Sequence, residues 1–366
     1  STRSQKRKIE KEKVKTNGTK QAFPNSADTY YMKKIFLSLA FACFSLPLFA
    51  INWEDFSLSV EPFLGLKSGQ VDEYVFLKNS NFSDDKLSEL NWEIKPEWYY
   101  GLKAHGEWKN FFEETQISFG IPMNTGLMMD SDWRNIQYSA SSGGNTAQTN
   151  YSESDNHLDY DISFSLKGGY EFTVKEIFKI KPAAAFEYQN IKFTGKGGTA
   201  WYGNTINTGE CHKYGPWYNY NDSNHRTILG FSGKDVISYQ RSIDFLWLGS
   251  DFSVILPKNF EVSTGFFFAP FVYAISYDSH LLTKIDYADK TIGFFGAFKW
   301  NLGATYNITE KHAVSLSASY FYMRVLRGDD YEKASSASSY KKSSSAEGGA
   351  GAKYFDLTLS YRFKIF

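Results

Sequence analysis

Residues 355–366 read FDLTLSYRFKIF. Apolar side chains occupy every second position from Phe355 to Ile365, and Asp, Thr, Ser, Arg and Lys stand between them. Successive side chains of a β-strand point to opposite faces, so a period of two predicts a strand with one apolar and one polar face. The polar set is too regular to be a loop.

The same alternation recurs upstream, in LDYDISFSLK at 158–167 and in VSLSASYFY at 314–322. No helical stripe of useful length follows Ile51, which predicts an all-β protein. The predicted strands lie near 56–67, 87–107, 114–126, 156–172, 178–196, 236–255, 260–277, 289–306, 312–327 and 351–366.

A soluble sandwich also has one wet face, so strand length and turn pattern decide between the two folds. Many segments reach the roughly 9 to 11 residues that cross a bilayer at a tilt. Short turns at 257–259 and 309–311 alternate with long polar segments, and the last strand ends on Phe366, as in many outer-membrane barrels. We therefore predict a ten-stranded antiparallel transmembrane β-barrel with long extracellular loops. These loops are expected at 68–86, 127–155, 197–235, 278–288 and 328–350, the last with a mobile Ser-rich run at 335–345.

The first 50 residues differ in character from the rest. Residues 1–31 are rich in Lys and Arg and predict a disordered basic leader. Residues 32–50 resemble a signal peptide, because two lysines precede an apolar segment at 35–46 and a small-residue cleavage box at 48–50. Lipidation of Cys43 is the alternative, but the preceding Ala-Phe-Ala is a poor lipobox. The barrel is then expected over 51–366.

Residues 51–366 carry 30 Lys and Arg and 37 Asp and Glu, a net charge of −7. This charge argues against nucleic acid as a partner and permits a cationic one. Cleavage would leave Cys211 as the only thiol, so no internal disulfide is expected.

Two short motifs bring carboxylates and an imidazole to one rim of the predicted barrel. Asp130 and Asp132 are one residue apart, as are Asp278 and His280. Seen alone, each motif is more often a solvated loop than a site, and carboxylates with His can also bind zinc. Both motifs are expected just past strands that rise to the same rim, so the topology predicts that they converge. A carboxylate such as Asp278 would orient His280 and make it a better base.

The chain resembles the omptins, ten-stranded outer-membrane β-barrel endopeptidases, over nearly the whole of 51–366. Each matching piece is short, but their order and spacing around one barrel make the match specific. The pieces are Ser68-Gly69 with Glu73, LSELNW at 87–92, Met128 with DSDW at 130–133, Tyr188-Gln189 with FTGKGGT at 193–199, and YDSH at 277–280.

The resemblance implies an aspartic-type endopeptidase that activates a water between Asp130 and His280, with Asp132 and Asp278 as their partners. It implies no covalent intermediate, no metal and no cofactor, although omptins require lipopolysaccharide. It also implies a monomer in outer-membrane lipid whose active site faces the cell exterior. The substrates would be peptides or proteins that contain basic residues.

Four further residues are substrate-binding candidates by the same resemblance. Glu73 would receive a basic side chain, with Met128 near it. The second pocket acid of the family corresponds to Ser276 here, and this departure weakens the expected preference for Arg or Lys. Glu153 would be a further acidic residue of the pocket. The rival hypothesis is a catalytically silent barrel that acts as an adhesin or channel; a lipase is disfavoured, because no Ser and His pair has the spacing of a nucleophile and its base.

Overall fold

The computed structural model describes residues 55–78, 85–134, 147–203 and 218–366. The leader predicted at 1–31, the signal peptide predicted at 32–50 and Cys211 lie outside these ranges. Within them, no helix is both long and apolar enough to span a membrane.

The described residues form fourteen β-strands in one sheet. In chain order they are β1 (Phe56–Leu77), β2 (Lys86–Trp108), β3 (Phe111–Gly120), β4 (Met123–Asp132), β5 (Asn150–Tyr170), β6 (Phe172–Val174), β7 (Phe178–Tyr202), β8 (Thr227–Gly230), β9 (Asp235–Leu256), β10 (Phe260–His280), β11 (Ile285–Gly293), β12 (Ala297–Asn307), β13 (His312–Ala334) and β14 (Lys341–Lys364).

The sheet closes into a ring of ten positions, all paired antiparallel. β3 and β4 share one position between β2 and β5, and β11 and β12 share another between β10 and β13. Pairing of β5 with β7 and of β1 with β14 completes the ring, while the short β6 and β8 pair with the two ends of β7. The predicted all-β, ten-stranded antiparallel barrel is confirmed.

Two predicted strands are interrupted. The segment predicted at 114–126 breaks at 121–122, where Pro122 has no N–H to donate to a neighbouring strand. The segment predicted at 289–306 breaks at 294–296, where Phe295 has a φ of 51°. At each break a lower and an upper half-strand share one position of the sheet.

The predicted long loops are not confirmed, because the strands continue into the segments assigned to them. β1 runs on through 68–77, β13 extends to Ala334, and β14 already begins at Lys341. The Ser-rich run at 335–345, predicted as a mobile loop, is therefore partly strand. Paired strands satisfy their own backbone hydrogen bonds, so they can continue beyond the membrane without an apolar face.

Large apolar side chains cover the outer face of the lower barrel. On β14, Phe355 is 50% exposed and Leu359 is 55% exposed, whereas Asp356 and Thr358 line the lumen. We call this surface the apolar belt. Its members include Leu64, Trp98, Leu102, Leu246, Phe266, Phe268, Phe298, Trp300, Leu316, Phe355, Leu357 and Leu359. An apolar band outside and polar side chains inside are the arrangement of a barrel in lipid.

Aromatic rings cross the lumen at and above the level of the belt. Trp92 of β2 stacks on Phe193 of β7 and Tyr239 of β9, with centroid distances of 5.7 and 5.5 Å. Phe245 of β9 meets Phe321 of β13 edge-on at 5.6 Å. These strands are not neighbours in the ring, so the contacts cross the lumen. The rings argue against the channel hypothesis.

Below the rings lies a polar cavity of about 320 Å³. At its upper end the buried Lys67 Nζ lies 2.5 Å from Asp161 Oδ2 and 3.3 Å from Glu97 Oε1. Gln189 Nε2 donates to both oxygens of Asp161 at 3.0 and 2.9 Å. A buried charge is costly unless it is paired, so Lys67 holds two carboxylates that would otherwise repel each other.

Removing this cation should destabilise the barrel strongly. We expect Lys67→Ala to lower the free energy of unfolding by about 3–5 kcal/mol, because it leaves buried carboxylates unpaired. The measurement is denaturant unfolding of the refolded barrel in detergent. The matched control is Lys95→Ala, whose side chain is 60% exposed beside Glu93 and should cost less than about 1 kcal/mol. Equal losses in the two variants would contradict a structural role for the Lys67 cluster.

Candidate active site

The first candidate pair lies at the upper end of β4. Residues two apart on a strand face the same side, so Met128, Asp130 and Asp132 all point into the barrel. Asp132 is buried, and its Oδ2 accepts hydrogen bonds from Asn150 Nδ2 and Arg134 Nη2, both at 3.0 Å. Asp130 is partly buried. The strand thus fixes one carboxylate firmly and leaves the other facing the lumen between the upper ends of β4 and β10, which we call the cleft.

The second pair lies at the upper end of β10. Asp278 Oδ2 is 2.7 Å from His280 Nε2, and Asp278 is only 3% exposed. The edge of the His280 ring packs against Tyr287 at a centroid distance of 5.2 Å. With Nε2 held by the carboxylate, Nδ1 of the imidazole is left for a second partner. The pair thus has the geometry of a proton-transferring imidazole and its orienting carboxylate.

All four residues belong to strands rather than to the loops after them. The sequence placed them just past the strand ends, but β4 extends to Asp132 and β10 to His280. Both strands keep an antiparallel partner on each side up to these residues, β2 and β5 for β4, β9 and β11 for β10. The side chains are therefore held by paired backbone.

The two pairs act on each other electrostatically across the cleft. Burial and then the negative charge of Asp132 raise the pKa of Asp130 to about 7, while His280 and Arg134 pull it down. Burial alone would lower the pKa of His280. The charge of Asp278, the hydrogen bond to Asp278, and then the charges of Asp130 and Asp132 raise this pKa to about 9. The site therefore retains a proton near neutral pH, shared among coupled groups.

Two partners of the site were not predicted from the sequence. Arg134 forms an ion pair with Asp132 at 3.0 Å, and its backbone N–H donates to Thr149 Oγ1 at 3.0 Å. Asn150 reaches the same carboxylate from β5. Arg134 lies two residues beyond Asp132, a spacing that would have indicated the contact had this segment been predicted as strand.

Three of the four substrate-binding candidates lie inside the barrel near these pairs. Glu73 is 3% exposed, and its Oε2 has no hydrogen-bond partner. Met128 is fully buried. Ser276 lies on β10, and its Oγ is 3.0 Å from the hydroxyl of Tyr239.

The fourth candidate, Glu153, does not join them. On β5 the buried residues Ser152 and Ser154 pair with Asp130 and Met128, so these face the lumen. Glu153 lies between them and faces outward, where Tyr151 donates a hydrogen bond to its Oε2 at 3.2 Å. The strand alternation thus separates Glu153 from the cleft.

Comparison with known proteins places the chain in a family. A model described as "Omptin family" matches residues 54–365. The chain belongs to the omptin family. No curated protein sequence matches this omptin.

Among solved structures, this omptin is similar to the outer membrane protease OmpT from Escherichia coli, with a TM-score of 0.68 and 17% identity. The match covers 84% of this chain and 97% of that one. The translocator domain of the autotransporter NalP from Neisseria meningitidis matches at 9% identity with a TM-score of 0.33, over 95% and 99% of the two chains. That score is too low to support an argument. The family and the fold together support an outer-membrane protease.

The charge on His280 gives a test of the site that needs no substrate. We expect His280 to titrate near pH 9, because Asp278 stabilises its protonated form. In Asp278→Asn the carboxylate is lost, and the pKa of His280 should fall toward about 6.5 or below. The measurement is an NMR titration of histidine-labelled protein in micelles. Asp329→Asn, which removes a carboxylate paired with Lys342 outside the site, should leave the value unchanged. A parent His280 that titrates near 6.5 would contradict this electrostatic picture.

Proposed function

We propose that this omptin is an aspartic-type endopeptidase that cleaves peptide bonds at or near basic residues. The observation that carries the proposal is the contact of 2.7 Å between Asp278 and His280 and the mutual effect of this pair and the Asp130–Asp132 pair on each other's pKa values. Such coupling of carboxylates with an imidazole is common in catalytic sites, because it keeps both a proton acceptor and a proton donor available near neutral pH.

In the proposed mechanism a water lies between Asp130 and His280. Ionised Asp130 takes a proton from this water, and the hydroxide attacks the peptide carbonyl carbon. As the C–N bond breaks, the departing nitrogen takes a proton from the His280 imidazolium, which Asp278 has kept charged. The proton on Asp130 then returns to His280 through the next water, which restores both groups. No covalent intermediate forms.

The assignment of Asp130 as the acceptor follows from the direction of the two pKa shifts. The sequence favoured His280 as the base, but a pKa of about 9 leaves the imidazole protonated at neutral pH. Asp130, with a pKa of about 7, is available as a base there. Burial and then the negative charge of Asp132 raise the pKa of Asp130. Asp132 is itself held by its ion pair with Arg134.

The substrate enters from the end of the barrel that carries both pairs. The apolar belt surrounds the lower half of the barrel, and the short turns at 257–259 and 309–311 close its opposite end. We propose that the belt lies in the outer membrane, that the enzyme works there as a monomer, and that the cleft faces the cell exterior. Lipopolysaccharide is proposed as a requirement for activity on the basis of the family resemblance.

Basic substrates are proposed because of the acidic floor of the cleft. Burial and then the charge of Asp278 raise the pKa of Glu73 well above its usual range. A cationic side chain placed beside this buried, unpartnered carboxylate would stabilise its charged form. The preference would act on the binding of Arg and Lys more than on the chemical step.

The first test is cleavage of a quenched fluorescent peptide with an Arg-Arg bond by the refolded barrel in the presence of lipopolysaccharide. We expect Asp130→Asn and His280→Ala each to lower kcat/KM by about 10²–10⁴-fold, because each removes one of the two proton-transfer groups. Asp235→Asn, at the exposed start of β9, is the matched control and should keep the parent rate.

If the parent cleaves neither basic nor neutral peptides under these conditions, the protease proposal fails. The silent-barrel hypothesis would then take its place.

The second prediction concerns pH. We expect a bell-shaped profile of kcat/KM that rises through about pH 7 as Asp130 ionises and falls through about pH 9 as His280 loses its proton. In Asp132→Asn the charge that disfavours ionisation of Asp130 is gone, so the acidic limb should move to lower pH. An acidic limb that stays in place, or moves up, would show that Asp132 does not act on the catalytic proton.

A further inference from the structure

The floor of the cleft contains carboxylates that the catalytic pairs do not use. Arg241, Ser276, Asp289 and Asp330 are successive cross-strand partners on β9, β10, β11 and β13. Their exposed fractions are 1, 2, 3 and 7%. Cross-strand partners share a face of the sheet, so all four point into the lumen in one row. Asp289 therefore lies directly beside the position where the omptin resemblance expects an acid and this chain has Ser276.

The space between Asp289 and Glu73 is free of large side chains on β14. A Cβ built on Gly348 would lie 1.9 Å from Asp289 Oδ1, so the carboxylate occupies the place of a side chain there. The next inward-facing residue of β14 is Ala350, which is the cross-strand partner of Glu73. Only a glycine and an alanine thus lie beneath the gap between the two carboxylates.

Two buried polar atoms on the strands that border this gap have no partner. Glu73 Oε2 and Thr291 Oγ1 make no hydrogen bond, although the two residues are 3% and 1% exposed. Thr291 lies two residues beyond Asp289 and so faces the same side of β11. Unpaired buried polar atoms are costly, and at a cleft floor they indicate a place that a ligand group fills.

The carboxylates around the gap repel one another. Burial, then Asp330 and Asp278, raise the pKa of Asp289 well above its usual range. Burial, then Asp278 and Asp289, do the same for Glu73. Each carboxylate thus opposes the ionisation of the others, and a cationic guest would relieve this repulsion.

We propose that Asp289, supported by Asp330, is the second specificity-determining carboxylate of this pocket and binds, together with Glu73, the cationic side chain of the substrate. This inference rests on the proposed protease function and deepens it. The acid that is missing on β10 is supplied from the neighbouring strand β11, so Ser276 does not remove the selectivity for basic residues.

Arg241 gives a reason why the second carboxylate of the pocket lies on β11 and not on β10. This guanidinium is buried, is the cross-strand partner of Ser276, and donates from Nη1 to the carbonyl oxygen of Gly351 at 2.8 Å. A carboxylate at position 276 would lie directly opposite this cation and be partly neutralised by it. Asp289 lies one strand further from Arg241 and closer to the unpartnered groups.

The experiment compares two peptides that differ only in the residue before the cleaved bond, Arg in one and the uncharged isostere citrulline in the other. We expect the parent to prefer the Arg peptide and Asp289→Asn to lower the ratio of the two kcat/KM values by about tenfold or more, through a charged hydrogen bond lost from the Arg complex. The matched control is Asp329→Asn, next to Asp330 but 39% exposed and paired with Lys342, which should keep the parent ratio.

Thermal unfolding distinguishes a role of Asp289 in the stability of the fold from a role in substrate binding. Asp289→Asn removes one of several repelling buried carboxylates, so the variant should unfold at the same temperature as the parent or higher. A parent ratio retained in Asp289→Asn, or a parent that cleaves both peptides equally well, would overturn the inference.

Binding of a small cation tests the pocket separately from the proposed protease activity. If the parent cleaves no peptide at all, the protease proposal fails, and the guanidinium probe agmatine then decides the pocket. Agmatine should raise the unfolding temperature of the parent and not that of Asp289→Asn. No shift in the parent would overturn the pocket as well.

Discussion

The structure depends on one constraint, which is that a backbone N–H or C=O in contact with lipid must find its partner within the sheet. Closure of β5 onto β7 and of β1 onto β14 meets this constraint and leaves no open edge in the ring of long strands that the structure describes. Closure also sets the geometry of the cleft. The position shared by β3 and β4 and the position of β10 are four apart in a ring of ten, so the ends of β4 and β10 face each other across the lumen.

The interior of the barrel uses burial in two different ways. At the level of the belt, Lys67 compensates Glu97 and Asp161, and the result is a stable ionic cluster. In the cleft, carboxylates are buried without enough cations, and the result is a set of raised pKa values. The same chemical group thus stabilises the fold where it is paired and stores unfavourable energy where it is not. Substrate or proton binding can release that energy, so function is concentrated at the unpaired end.

The period of two in residues such as 355–366 was enough to predict the strands, and their length and the pattern of short turns and long polar segments predicted the ten-stranded barrel. This alternation could not show where a β-bulge moves the following residues to the opposite face of the sheet. The sequence placed Leu158 on the same face as Ile162, but a bulge between Leu158 and Tyr160 turns Leu158 into the lumen, fully buried, while Ile162 is exposed. The convergence of the two motifs followed from topology. The contact of Asn150 with Asp132 and the place of Asp289 beside Ser276 did not, because they depend on the register between neighbouring strands, and register is invisible to local patterns. The contact of Arg134 was missed because its segment was assigned to a loop.

The aromatic contacts of Trp92, Phe193 and Tyr239 across the lumen give the cleft the form of a dead-end vestibule. In the described part of the barrel these rings block the lumen below the catalytic pairs, so both fragments leave on the side from which the substrate enters. Incoming substrate and departing fragments therefore use the same opening. A fragment that stays bound in the vestibule would block entry of the next chain, so release of the fragments is a step that can limit turnover in such a barrel.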